Sequence, residues 1–137
     1  MASDLVRFSV AIPGELLERF DAYTACRGTS SNRSEAIRDL MREKLVEERL
    51  SEPNAEVVGS ITMVYNHHVP DLTRKLDDVQ HDHLALIVSA THVHLNHDDC
   101  LETLAVRGVS SSVHELADQL LGTKGVRHGK LVCTTTT

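Results

Sequence analysis

A chain of 137 residues holds one ordinary domain or two small ones, and neither half of a two-part split buries enough surface to stand easily alone, which favours oligomerisation. With 41% hydrophobic and 25% charged residues the chain is globular rather than disordered; no run approaches the roughly 18 apolar residues of a membrane span, and "MASDLVRFSV" lacks the basic and apolar regions of a signal peptide, so a cytoplasmic protein with no membrane partner is expected. The formal charge of -6 opposes general attraction to phosphates, but residues 1–49 hold nine acids against eight bases, residues 50–137 hold eleven against six, and every histidine lies in the later part. That shift implies two modules with different tasks.

In chain order, "VRFSVAIP" sets Val6, Phe8, Val10 and Ile12 on one face and Arg7, Ser9 and Ala11 on the other, the period of a half-buried strand that Pro13 and Gly14 end. "GELLERFDAYTACRG" places Leu16, Leu17, Phe20 and Tyr23 at helical spacing, with Gly28 as its C-terminal cap. After the turn "TSS", Asn32 and Glu35 stand in a capping-box relation, and Ala36, Ile37, Leu40, Met41 and Leu45 form the stripe of a second helix running to about Glu48. One strand and two helices cannot close a core, because a lone strand leaves its edges unpaired; pairing the strands of two copies solves this. "VEERLSEPNAE" reads as a charged linker.

From Val57 the pattern changes. "VVGSITMVY" is a strand, "VPDLTRKLDDVQ" a helix, "LALIVSATHVHL" a long β-rich run, "CLETLAVRG" a strand, "SSSVHELADQLLG" a helix with a serine N-cap, and "GVRHGKLVC" a final strand. The order βαββαβ predicts an α+β, ferredoxin-like layer of helices on one antiparallel sheet. The closing "TTTT" reads as a frayed tail. The expected division is 1–49, a linker at 50–56, 57–134, and a tail at 135–137.

The densest chemistry lies in "THVHLNHDDC", residues 91 to 100. His92 and His94, two apart on a strand, point to one face with backbones about 6 to 7 Å apart and can chelate one ion. The turn after them returns Cys100 to the same edge. His81 and His83 are expected at the far end of the same strand, roughly 25 Å or more away at 3.3 Å per residue, so one chain cannot bring both ends to one metal. Two antiparallel copies related by a twofold axis can, with His81 or His83 lent from one to the other. Imidazole suits zinc, copper, iron and nickel, one thiolate excludes magnesium, and a planar N/S field favours Ni(II) or Cu(II); the sequence does not fix that geometry. Cys26, Cys100 and Cys133 form an odd set without disulfide-scaffold spacing, so reduced thiols are expected, with Cys26 and Cys133 as buried small hydrophobes. An isolated H-x-H is ordinarily surface polarity; His81, His83, His92 and His94 with Cys100, all within twenty residues, weigh against that.

These residues, with "RFSVAIPGELLERFD", "NRSEAIRDLMR", "HDHLALIVSATHVHLNHDDCLE" and "GVRHGKLVC", resemble the nickel-responsive transcriptional regulators, the NikR family, across nearly the whole chain. The histidine and cysteine block carries the resemblance most specifically. It implies an N-terminal ribbon-helix-helix domain for dimerisation and DNA binding, an ACT-like C-terminal βαββαβ domain, and a homotetramer built as a dimer of dimers. Carried over by position, the nickel ligands are His92, His94 and Cys100 of one subunit and His81 of another in a square plane, with Tyr65 and Glu102 supporting them. The strand pair would enter the major groove of operator DNA with Arg7, Ser9 and Ala11 outward, where Ala11 departs from the commoner hydroxyl residue. Asn32, Arg33 and Ser34 would meet phosphate at a helix start, and Glu35 and Asp39 would contribute to a cation site resembling a potassium site. The implied function is nickel-dependent repression of nickel-uptake genes. His67, His83 and His97 are accessory metal candidates, or ordinary locally bonded histidines.

Three rival readings stand beside it: a metal-storage or trafficking module, a sensor of another transition metal, and a metalloenzyme using Cys100 as nucleophile with His92 or His94 as base. The metalloenzyme reading lacks an H-E-x-x-H or comparable catalytic pattern, and neither storage nor catalysis explains a DNA-type ribbon module fused to the site.

Overall fold

The computed structural model describes residues 4–27 and 32–135, and the chain forms two compact units, Met1–Glu43 and Lys44–Thr137. In the first, α1 spans Gly14–Arg27, and α2 (Arg33–Leu50) begins. The Leu17 amide donates to the Pro13 carbonyl at 3.1 Å, closing the first turn of α1. The expected cap on α2 is present: the Glu35 amide donates to Asn32 Oδ1 at 2.8 Å, which satisfies a donor that a helix start otherwise leaves orphaned. Gly28 and the turn 29–31 lie outside the described residues.

Residues 4–13 form no strand in the single chain. A strand exists only against a partner, and here the described chain supplies none, so Phe8 and Val10 stay 69% and 63% exposed. They line a groove with Val6, Ile37 and Met41. No described residue of α2 is buried. This unit therefore presents apolar surface that its own fold does not cover. Cys26, expected to be buried, is exposed for the same reason.

The second unit follows the expected order. Its elements are β1 (Glu56–Asn66), α3 (Leu72–Asp82), β2 (Ile87–His94), β3 (Asp99–Val109), α4 (Ser110–Leu121) and β4 (Val126–Thr135). They build one antiparallel sheet in the order β2-β3-β1-β4, the ferredoxin-like α+β arrangement. Alternation along β1 buries Val57, Ile61, Met63 and Tyr65, and along β3 it buries Cys100, Glu102, Leu104 and Val106. Leu72 and Leu76 of α3 and Val113, Leu116 and Leu120 of α4 close over that face. No described helix is long and apolar enough to cross a membrane.

Three expectations need correction. Helix α3 runs to Asp82 and β2 starts only at Ile87, so His81 sits in the last helical turn and His83 caps it, rather than beginning the strand. The polar run "DDVQHDH" continues the helical pattern, and the turn 83–86 follows, closed by the Leu86 amide on the His83 carbonyl at 2.9 Å. At α4 the N-cap is Val109, without a side-chain cap bond. The Ser110 hydroxyl instead donates to the Leu50 carbonyl at 3.2 Å, tying the end of α2 to α4. Finally, Thr134 and Thr135 pair with Val58 and Val57, so the sheet takes in the first half of the supposed tail.

Gly59 is a point of close approach in the sheet. A Cβ there would run into the Val132 carbonyl oxygen and lie 3.0 Å from Cys133 Sγ. Backbone cannot yield as a flexible side chain does, so Gly59→Val is expected to destabilise the fold by about 1–3 kcal/mol through overpacking. A thermal melt checks this, with Tm lowered by roughly 4–8 °C per kcal/mol for a unit of this size.

Candidate metal centre

Strand register assembles the site. In the β2–β3 pair, His94 lies opposite Cys100 and His92 opposite Glu102; in the β1–β3 pair, Tyr65 lies opposite Cys100. Directly paired residues share a sheet face, so both histidines project on the side of Cys100, Glu102 and Tyr65. Cys100 is fully buried and Glu102 7% exposed, whereas His92 and His94 on edge strand β2 are exposed. Sulfur and imidazole thus meet at the rim of the sheet, with the thiol facing inward.

The distances suit a metal. The Cys100 Sγ lies 3.1 Å from His67 Nδ1 and 3.6 Å from His94 Nδ1. An ion bound to sulfur at about 2.3 Å and to imidazole at about 2.0 Å sets those atoms roughly 3.0–3.6 Å apart. His67, His94 and Cys100 form a group whose ligand atoms all lie within 4.8 Å of one another. His92 stands just beside it, its ring 5.3 Å from that of His94 and edge-on to Tyr65 at 6.1 Å. Burial pushes the Cys100 thiol up, helped by the negative charges of Asp99 and Glu102. Partial desolvation, with neighbouring His68 and His94, pushes the His67 imidazole down, keeping it neutral and fit to be a ligand.

Glu102 is held from two sides. The Tyr65 hydroxyl donates to its Oε2 at 2.6 Å and the Gln80 amide to its Oε1 at 2.8 Å. A buried carboxylate needs such donors. Burial, then the bond to Glu102, keeps the Tyr65 phenol protonated far above its usual range. Gln80 and His81 are neighbours on α3, so the Glu102 contact also fixes the helix turn that carries His81. There His81 Nδ1 donates to the Asp77 carbonyl at 2.9 Å. A carbonyl only accepts, so in the neutral ring the proton sits on Nδ1 and Nε2 keeps its lone pair for a ligand. His83 makes the same bond to the Val79 carbonyl. The Gln80–Glu102 bond brings this turn of α3 back toward Glu102, which lies opposite His92, but His81 is not among the described side chains whose ligand atoms cluster with Cys100.

His67 and His68 were undervalued by spacing alone, since they lie some thirty residues before Cys100. The signal was available: His67 and His68 directly follow β1, which pairs antiparallel with β3, the strand whose second residue is Cys100.

The DNA-type candidates lie in the first unit, where Arg7, Ser9 and Ala11 are all exposed. Arg33 does not project freely from α2: its Nε and Nη2 donate to Asp21 at 2.8 and 2.6 Å. Asn32 and Ser34 are exposed at the same helix start. Asp39 accepts from Arg42 at 2.8 Å, and Glu35 is exposed one turn before it.

Comparison with known proteins places the chain. Residues 58–134 match the model of the NikR C-terminal nickel-binding domain. The chain belongs to the NikR family of nickel-responsive regulators. Proteins bearing the name nickel-responsive regulator match along almost the whole length: one from Solibacter usitatus is 52% identical over 134 residues, 98% of this chain and 96% of its own. One from Geobacter metallireducens is 53% identical over 133 residues, 97% and 95%, and one from Thermococcus kodakarensis is 49% identical over 132, 96% and 95%. The NikR-type domain takes in β2 and β3, all but the outer ends of β1 and β4, and every histidine of the chain.

Proposed function

We propose that this NikR-family chain is a nickel-dependent transcriptional regulator in which His92, His94 and Cys100 of one subunit and His81 of another hold Ni(II). The observation that carries the reading is a fully buried thiol on β3 with His94 directly opposite it on an exposed edge strand. When bound, nickel supplies a rigid N/S link between subunits. The chain's own residues do the rest: Cys100 gives up its proton, Glu102 and Tyr65 hold the rim of β3, Gln80 steadies the turn bearing His81, and the Nδ1 proton of His81 leaves Nε2 as its donor atom. The site is then complete only in an assembly, here a homotetramer made of two dimers.

The first unit reads DNA in this account. Two copies of residues 6–12 pair as a ribbon, which covers Val6, Phe8 and Val10 and turns Arg7, Ser9 and Ala11 outward to the bases of the major groove. Asn32, Arg33 and Ser34 meet phosphate, Arg33 sharing its guanidinium between Asp21 and the backbone of the DNA. Glu35 and Asp39 contribute to a second cation site of potassium type. The process regulated is nickel uptake, by repression in the cytoplasm. Linkage requires operator DNA to raise nickel affinity by the factor with which nickel raises operator affinity. Gel shifts with and without nickel test the switch: retention of the operator only with nickel supports it, and equal affinity in both lanes defeats it.

Two expected outcomes probe the ligand set. His92→Ala lowers nickel affinity by at least about tenfold, a conservative figure because loss of a supporting partner alone costs 10–100-fold, while His67→Ala leaves it within a few-fold. The reverse ranking, read by competition against a chelator, would assign the ion to the His67, His94 and Cys100 group. The second concerns pH. The Cys100 thiol is held protonated by burial, so binding expels its proton, and apparent affinity falls about tenfold for each unit of pH lost below the thiol's own value. Affinity indifferent to pH between 6 and 8, about the range in which imidazoles also titrate, would remove the thiolate from the site.

A further inference from the structure

We propose, on the reading that Cys100 and His94 hold nickel, that Arg127 is a positioning residue for the metal centre: through Asp99 it fixes the turn that sets Cys100 opposite His94. Arg127 stands at a break in the sheet. Val64 pairs with His128 and the next residue, Tyr65, with Val126, so Arg127 is an extra residue of β4 without an opposite number on β1. A bulge of this kind re-aims the side chain it carries. Here β1 lies between β4 and β3 in the sheet, and the guanidinium reaches past it, with Nη1 2.8 Å from Asp99 Oδ1 on β3.

Asp99 directly precedes Cys100, and its backbone closes the turn between the two ligands. Its amide donates to Asn96 Oδ1 at 2.9 Å, and its carbonyl accepts from the Leu95 amide at 2.9 Å. Asp99 Oδ1 is enclosed and accepts no hydrogen bond of good geometry among the described residues, so the Arg127 charge is what offsets its desolvation. Without that charge the carboxylate would have to turn toward water. The same residue closes the turn, so Cys100 would shift against His94. The plain alternative is an ordinary surface ion pair, which contributes little. Against it stand the enclosure of the oxygen, on a side chain only 20% exposed, and a bulge placed where Arg127 can reach it.

Titration of the full-length protein with Ni(II), read by the sulfur-to-nickel absorption and by competition against a chelator, tests this. Arg127→Gln is expected to lose about tenfold in nickel affinity, the lower end of what a supporting partner costs, and to shift or weaken the absorption band at saturation while circular dichroism stays that of the wild type. Arg127→Lys keeps the charge and recovers at least part of the loss. Asp99→Asn carries the same expectation as Arg127→Gln and replaces it should that variant not fold. The double variant Arg127→Gln/Asp99→Asn is no weaker than the weaker single one, because both changes remove one contact. An Arg127→Gln protein that melts earlier yet keeps wild-type nickel affinity and band makes the pair merely structural and overturns the proposal, as do losses that add in the double variant or a lysine that recovers nothing. A wild-type protein without the band sinks the reading of Cys100 as a ligand and this proposal with it; a wild-type band that Arg127→Gln leaves intact sinks this proposal alone.

Discussion

Cys100→Ala is expected to cost nickel affinity at least about a hundredfold, the upper end of what losing a mere supporting partner costs, and to abolish nickel-dependent operator retention. Cys100 is the cysteine whose sulfur groups with His67 and His94 among the described residues, it is fully buried, and it lies opposite His94. Alanine keeps the apolar volume of a small buried residue, so the sheet should survive, at a cost of about 1 kcal/mol for the missing group. Circular dichroism and chelator competition together separate the two effects. A well-folded Cys100→Ala protein with wild-type nickel affinity would rule out sulfur as a ligand.

Arg7→Ala should have the complementary effect. If Arg7 reads a guanine by a two-pronged contact, its loss costs about 1–3 kcal/mol, or roughly 5- to 150-fold in operator affinity. Nickel loading stays unchanged, because Arg7 belongs to the first unit and the ligands to the second. Binding to unrelated DNA should fall far less, since the loss is of base reading rather than of several phosphate contacts. A storage or trafficking protein would show no operator to lose, so a specific site whose occupancy depends on Arg7 also separates the regulator from that rival.

Much of this was legible in the sequence because the second unit obeys period-two and helical patterns cleanly. Val57, Ile61, Met63 and Tyr65 alternate into the core as written, and the spacing of His92, His94 and Cys100 fits the two-strand register in which they are found. His81 was misplaced because "LALIV" merges with the polar run before it, and periodicity alone cannot find the turn between a helix and a strand. The separation inferred from an extended run falls with it, because α3 folds back and its Gln80 reaches Glu102, opposite His92. Ser110 was expected as a cap, but the nearby Leu50 carbonyl offered its hydroxyl another partner. The proximity of His67 and His68 to Cys100 and Asp98 is a cross-strand fact, invisible to local spacing. In the first unit the strand pattern of Val6, Phe8, Val10 and Ile12 was clear, yet one chain cannot realise it, since its hydrogen-bond partner must come from a second copy.

The most direct test of a site shared between subunits is complementation. Cys100→Ala and His81→Ala proteins, each expected to bind nickel poorly, are assembled together into mixed oligomers and titrated. Sharing predicts recovery of tight nickel binding with its sulfur absorption at about a quarter of the sites, wherever an intact Cys100 faces an intact His81 across a symmetric interface. Mixed oligomers that bind no better than their two parents, or a His81→Ala protein that loads nickel normally by itself, would contradict it.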